Sequence, residues 1–103
     1  MGFRVKMFQT SAEQAAGALS QPSPLPPESL LFFPRIEPGQ TVHGRGMREP
    51  LNVYFLDDNF KEIHRGRLDP GTTAIVPWGT RHVVELSTKA TPPSSFYFLA
   101  NYV

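Results

Sequence analysis

The residues best suited to chemistry crowd into one short stretch, V-H-G-R-G-M-R-E, which sets His43, Arg45, Met47, Arg48 and Glu49 close together in the chain. Two guanidinium groups beside a glycine-rich turn with free backbone N–H groups could cradle a carboxylate, a phosphate or a sugar acid. Every member also has a plainer use. His43 can be a loop histidine bonded to backbone, Gly44 and Gly46 can serve positive-φ turn positions, and Met47 can fill core. Arg48 and Glu49 can form a surface ion pair of little worth. Outside this stretch, Trp78 follows Pro77 in a turn and is either a core plug or a stacking platform. The ligand-binding candidates are therefore His43, Arg45, Met47, Arg48, Trp78 and Arg81. His64 stands among Arg65 and Arg67 and reads as solvated, while His82 opens a strand and reads as a rim residue.

One carboxylate is out of place. Glu85 lies in the apolar run H-V-V-E-L, and alternation puts it on the face of Val83, opposite Val84 and Leu86. If that face is buried, the carboxyl needs a cation such as Arg81 or Arg48, or its pKa rises. Glu49, Asp57, Asp58 and Glu62 are also available as acids, but nothing marks two carboxylates out as a catalytic pair. The chain has no G-x-S-x-G elbow, P-loop, H-E-x-x-H or dinucleotide fingerprint. With no cysteine, thiolate nucleophiles, thiolate zinc sites and disulfides are excluded.

The elements that must position these residues are mostly strands. Phe3, Val5 and Met7 alternate with Arg4 and Lys6, a half-buried strand. Ser11 is the expected N-cap of a helix of about two turns over A-E-Q-A-A-G-A-L, with Glu13 in its first turn, weakened by Gly17 and ended by Q-P-S-P-L-P-P. S-L-L-F-F-P is apolar on both faces and should be central, and Pro38-Gly39 marks a turn. L-N-V-Y-F-L-D is the best strand, with E-I-H-R-G-R-L as its hairpin partner and Gly66 suggesting a bulge. T-T-A-I-V and R-H-V-V-E-L-S follow as strands, T-K-A-T-P-P-S-S as a loop, and F-Y-F-L-A-N-Y-V as a terminal strand with an aromatic edge. Many short strands separated by turn signals predict a mainly β, single-domain fold spanning residues 1–103. The expected form is a jelly-roll-like β-sandwich or barrel with one short N-terminal helix.

Composition agrees. The 103 residues are 40% hydrophobic, and 11 prolines with 8 glycines favour turns over long helices. Ten basic residues, scattered along the chain, against nine acidic ones give a net charge of +1, so no electrostatic footprint for nucleic acid or an anionic membrane is visible. The opening M-G-F-R-V-K-M-F-Q-T lacks the apolar run of a signal peptide, and no stretch approaches the ~20 apolar residues of a membrane span. A cytoplasmic location is the default, with secretion if a leader precedes these residues.

These residues carry a resemblance. The blocks A-A-G-A-L, P-S-P-L-P-P, L-L-F-F-P-R, V-H-G-R-G-M-R-E-P-L-N-V-Y-F-L-D and R-H-V-V-E-L-S resemble, in order, those of the uncharacterised conserved family catalogued as domain of unknown function 192. The V-H-x-x-G-M to F-L-D block is the most specific part. Such a resemblance implies a mostly β, jelly-roll-like fold and a candidate surface at the His43–Arg48 loop, but no reaction. Asn52 stands where the family has an aspartate, and T-K-A-T-P-P-S-S replaces a glycine-rich segment.

The chain is also similar, more weakly, to the cupins. Gly71, Pro77, Gly79 and His82 match a G-x5-P-x-G-x2-H motif, and Pro38-Gly39, His43 and Glu49 match part of the other cupin motif, with Arg45 at its second histidine. That similarity implies an open site of His43, Glu49 and His82 for iron, manganese or zinc. Two readings follow. One is a non-enzymatic, cofactor-free binding or accessory domain, monomer or homodimer, recognising a small anionic or carbohydrate ligand or a protein partner. The other is a small cupin-like metalloenzyme. Strand addition along F-Y-F-L-A-N-Y-V would give the homodimer.

Overall fold

The computed structural model describes residues 2–37 and 39–103. The expected Pro38-Gly39 turn rests in part on Pro38, which lies outside the described residues. Seven strands form, β1 (Arg4–Met7), β2 (Ser29–Phe33), β3 (Thr41–His43), β4 (Leu51–Leu56), β5 (Glu62–Leu68), β6 (Thr73–Ile75) and β7 (His82–Ser87), with one α-helix, α1 (Ser11–Ala16), between β1 and β2. The fold is thus mainly β with a short N-terminal helix, as the turn spacing predicts. A mixed five-stranded sheet has the order β1-β2-β7-β4-β5, and β3 pairs with β6 in a separate two-stranded ribbon. The large sheet keeps β1 and β5 as free edges, so it does not close into a barrel.

The inner strands β2, β7 and β4 are buried on both faces. Alternation along β2, β4 and β7 sends Leu31, Phe33, Val53, Phe55 and Val83 into one core, where Phe8, Leu25, Ile36 and Val76 meet them. Leu30, Phe32, Tyr54, Leu56, Val84 and Leu86 enter a second core on the other face, closed by Phe60, Phe96 and Leu99. This explains why L-L-F-F and V-Y-F-L are continuous apolar runs: an inner strand covered on both sides has no solvent face to make polar. Each fully buried Leu or Phe contributes ~1.5–3 kcal/mol, so the two layers together stabilise a short chain.

Local sequence sets the other elements, with three departures from expectation. The N-cap of α1 is Thr10, not Ser11. The Thr10 hydroxyl accepts from the Glu13 N–H while the Glu13 carboxylate accepts from the Thr10 N–H, a reciprocal capping box. The helix ends at Gly17, whose φ of +48° begins a 3-10 turn over Gly17–Ser20. In the β4–β5 hairpin the register slips between Phe55 and Leu56, so Ile63 is the extra residue and Gly66 pairs regularly with Val53. The C-terminal F-Y-F-L-A-N-Y-V is not a strand but a 3-10 turn over Tyr97–Tyr102. Phe96 and Leu99, three residues apart, share one side of that turn and cover the second core, whereas a strand would send them to opposite faces. The strand-addition dimer expected of this segment therefore has no strand to form it.

Parallel neighbours need a crossover, and the β1–β2 connection supplies it by carrying α1 over the first core. Gln14 pins the helix there, its amide N–H donating to the carbonyls of Phe8 (3.0 Å) and Pro34 (3.1 Å).

Candidate functional site

β7 lies between β2 and β4, and Glu85 is paired across them with Leu31 on one side and Val53 on the other. All three point into the first core, so the carboxyl has apolar neighbours in the sheet. Glu85 is 4% exposed. Burial pushes its carboxyl up to about 7, and no charge or hydrogen bond among the described residues opposes that shift. Arg81, one cation expected to compensate it, instead faces Glu37 at 3.8 Å in an exposed pair. Arg48, the other, lines a different cavity.

The carboxyl is not sealed in. It lies against a cavity of ≈ 280 Å³ between the sheet (Phe33, Val83, Glu85) and a cover made of α1, the 3-10 turn after it, and β3. Ile36, Met47 and Val76 add apolar wall, and Gln14, Gln40, Thr41 and His43 add polar groups. The His43 Nδ1 is buried and has no hydrogen-bond partner. Two ionisable side chains from different layers, both lacking a protein partner, thus line one small space. Convergent polar groups in an apolar concavity are the general mark of a small-molecule site.

The loop after His43 is shaped by close backbone approach. The Gly44 N–H donates to Thr72 O (2.7 Å), and its carbonyl accepts from the N–H groups of Gly71 (2.8 Å) and Met47 (3.1 Å). A Cβ on Gly44 would lie 2.5 Å from the carbonyl oxygen of Asp69. Gly46, at φ +77°, then reverses the chain so that Met47 points back inward. A second cavity of ≈ 390 Å³ adjoins the first, sharing Ala18, Leu19 and Met47 as a wall. It is lined by Gln21, Pro22, Ser23 and Leu25 on one side and Gly46–Glu49 on the other.

The six ligand-binding candidates do not assemble as a group. His43 and Met47 line the first cavity, and Met47 and Arg48 line the second. Arg45 is exposed and lines neither. Trp78 is 90% exposed and, like Arg81, stands apart from both.

The implied metal triad is not formed either. His82 is on the opposite face of the sheet from His43, its ring stacked on Phe60 (centroids 4.4 Å apart) and tilted against Phe32. Its Nδ1 accepts the Arg35 N–H at 3.2 Å. Burial, with Arg81 and Arg35 nearby, lowers its pKa to about 4. Glu49 is committed to the Leu25 N–H at 2.7 Å. Among the described residues no group of three His, Cys, Asp or Glu side chains could share a metal ion. Sequence alternation had already isolated Glu85 as anomalous, but the helix residues that complete its cavity, Gln14 above all, carry no local signal of that role.

No family model matches the chain, and no curated protein does. Two solved structures share its fold. A protein of unknown function from Novosphingobium aromaticivorans DSM 12444 superposes with a TM-score of 0.73 at 26% identity, over 84% of this chain and 64% of the other. A proposed transcription regulator from Sinorhizobium meliloti 1021 superposes with a TM-score of 0.69 at 16% identity, over 82% and 68%. The chain therefore spans slightly less than two thirds of the first of these proteins. None of the helices described is long and apolar enough to cross a membrane.

Proposed function

We propose that this β-domain binds a small molecule, and that its site is the cavity floored by Glu85 and walled by His43 and Met47. The observation that carries this reading is the Glu85 carboxyl, 4% exposed, facing an open cavity with no group among the described residues to satisfy it. An unpaired buried ionisable group costs stability, so its retention at a cavity floor favours a role in binding over a role in packing. A volume of ≈ 280 Å³ is near the lower end of the range for ligand pockets and suits a fragment-sized compound. Support for an anionic ligand is confined to Arg48, which belongs to the adjoining cavity.

The test is to titrate a library of small organic fragments into isotope-labelled protein and follow the amide resonances. Binders should shift residues 14–19, 41–47 and 83–85 together. Ala15→Trp, which places a large side chain on the exposed helix wall of the cavity, should abolish those shifts and leave the remaining spectrum folded. Binders that shift only other regions, or no binders at millimolar concentration, would remove the proposal.

A further inference from the structure

Resting on that binding reading, we infer that the cavity takes a small amphiphilic amine, its apolar body against Phe33, Ile36, Val76 and Val83 and its ammonium group on the Glu85 carboxylate. The lining decides the polarity of the ligand. Glu85 and His43 are the ionisable side chains that face the cavity, and no lysine or arginine lines it. Among the described residues, no element packed around Glu85 brings it a compensating cation. β2 offers Leu31 and β4 offers Val53, both apolar. α1 contributes Ser11 and Gln14, which are uncharged, β6 is followed by Val76, and β3 brings His43. A carboxylate ligand would meet the Glu85 carboxyl with no cation to offset the repulsion. A ligand rich in N–H donors meets the opposite situation.

One unpaired acceptor group is available to it. An ionised carboxylate only accepts hydrogen bonds. An ammonium group carries three donors and a positive charge, so it can bond to the Glu85 carboxylate and neutralise it. An alcohol brings one donor and no charge. Charge-assisted hydrogen bonds of this kind are about twice as strong as neutral ones. The remaining walls are aliphatic or aromatic and match an alkyl or cycloalkyl body.

The inference predicts a pH signature. With the Glu85 carboxyl pushed up to about 7, it is mostly neutral at pH 6 and mostly charged at pH 8. A simple alkylamine stays protonated across that range, as a lysine does. Amine affinity should therefore rise by about ten-fold from pH 6 to pH 8, with the affinity of a neutral analogue unchanged by Glu85. His43 is the other ionisable side chain on the cavity, so Glu85→Gln is needed to assign the pH effect to Glu85.

The experiment uses three probes of one shape: cyclohexylamine, cyclohexanol and cyclohexanecarboxylate. Each is titrated into the wild-type protein and Glu85→Gln at pH 6 and pH 8, with amide shifts read at the cavity residues. Expected results are binding in the order amine, alcohol, carboxylate at pH 8, the ten-fold pH gain for the amine, and loss of at least ~10-fold amine affinity in Glu85→Gln with alcohol binding retained. Alcohol or carboxylate binding the cavity as tightly as the amine would overturn this inference while leaving the site itself intact. So would amine affinity that is the same at both pH values or unaffected by Glu85→Gln. If none of the three shifts the cavity residues, this inference falls, and the fragment screen alone decides the binding reading. The wild-type pH comparison stands even if the variant does not fold.

Discussion

At Gly44 the decisive quantity is a distance. A methyl group there would sit 2.5 Å from the Asp69 carbonyl oxygen, which is backbone and cannot swing aside, and 3.2 Å from the Met47 terminal methyl. Gly44→Ala must therefore push the β3 loop away from the Asp69–Thr72 turn, lengthening the Gly44 bonds to Thr72 and Gly71. Overpacking of this kind costs ~1–3 kcal/mol, which urea denaturation should show as a lower midpoint. Gly66→Ala is the control, since nothing lies within 4 Å of its missing Cβ. Its stability should stay within ~0.5 kcal/mol of wild type. Equal losses at the two sites would mean that the loop has room to adapt. Met47, next to this contact, belongs to both cavities, so a displaced loop also changes their shared wall.

Among the elements, α1 contributes no fully buried residue yet covers the cavity. Polar ties hold it, the Thr10–Glu13 box at its N-terminus and the two Gln14 bonds to Phe8 and Pro34. Thr10→Ala removes the hydroxyl that caps the helix, a change of ~0.5–2 kcal/mol. The expected outcome is faster hydrogen exchange of the α1 amides with the β7 amides unaffected, because a short surface helix can open without the sheet. Uniformly faster exchange would instead mean that α1 and the sheet open as one unit. This division also marks how far the sequence could be read. S-L-L-F-F declares itself an inner strand because double burial leaves an unbroken apolar run, and L-N-V-Y-F-L and H-V-V-E-L-S are legible as strands. Glu85 stands out because it interrupts one of them. F-Y-F-L-A-N-Y-V has the same β-favouring composition, and the need to cover a second face overrides that preference. The meeting of α1 with β3 above Glu85 depends on tertiary placement, which no local spacing encodes. Met47 was legible as a loop residue, whereas His43, read as a loop histidine, ends strand β3, and the arginines beside them suggested an anion site that the fold leaves on the exterior or in the neighbouring cavity.

For the molecule as a whole, two buried titrating groups on opposite faces of β7 act against each other. Glu85, raised to about 7, is protonated in the native state where an unfolded glutamate at 4.5 is not. Its contribution therefore falls as pH rises from 4.5 to 7, by about 3 kcal/mol in all. His82, lowered to about 4, stays neutral in the native state where an unfolded histidine at 6.5 gains a proton. Its contribution is complete above pH 6.5 and is lost as pH falls toward 4. Between pH 4.5 and 6.5, unfolding releases a proton at one site and takes one up at the other, and the two slopes cancel. Glu85→Gln should remove that cancellation, so its stability relative to wild type falls steadily on acidification from pH 7 to 4.5. Parallel stability curves for the two proteins, measured by urea denaturation across that range, would count against a buried, titrating Glu85. The place of β7 also bears on synthesis. It follows β1, β2, β4 and β5 in the chain, yet it joins β2 to β4 and supplies the cavity floor. Until residues 82–87 leave the ribosome, this sheet can form only as two fragments, β1-β2 and β4-β5, each with an apolar edge exposed. Neither the sheet nor the site can be completed before that segment emerges.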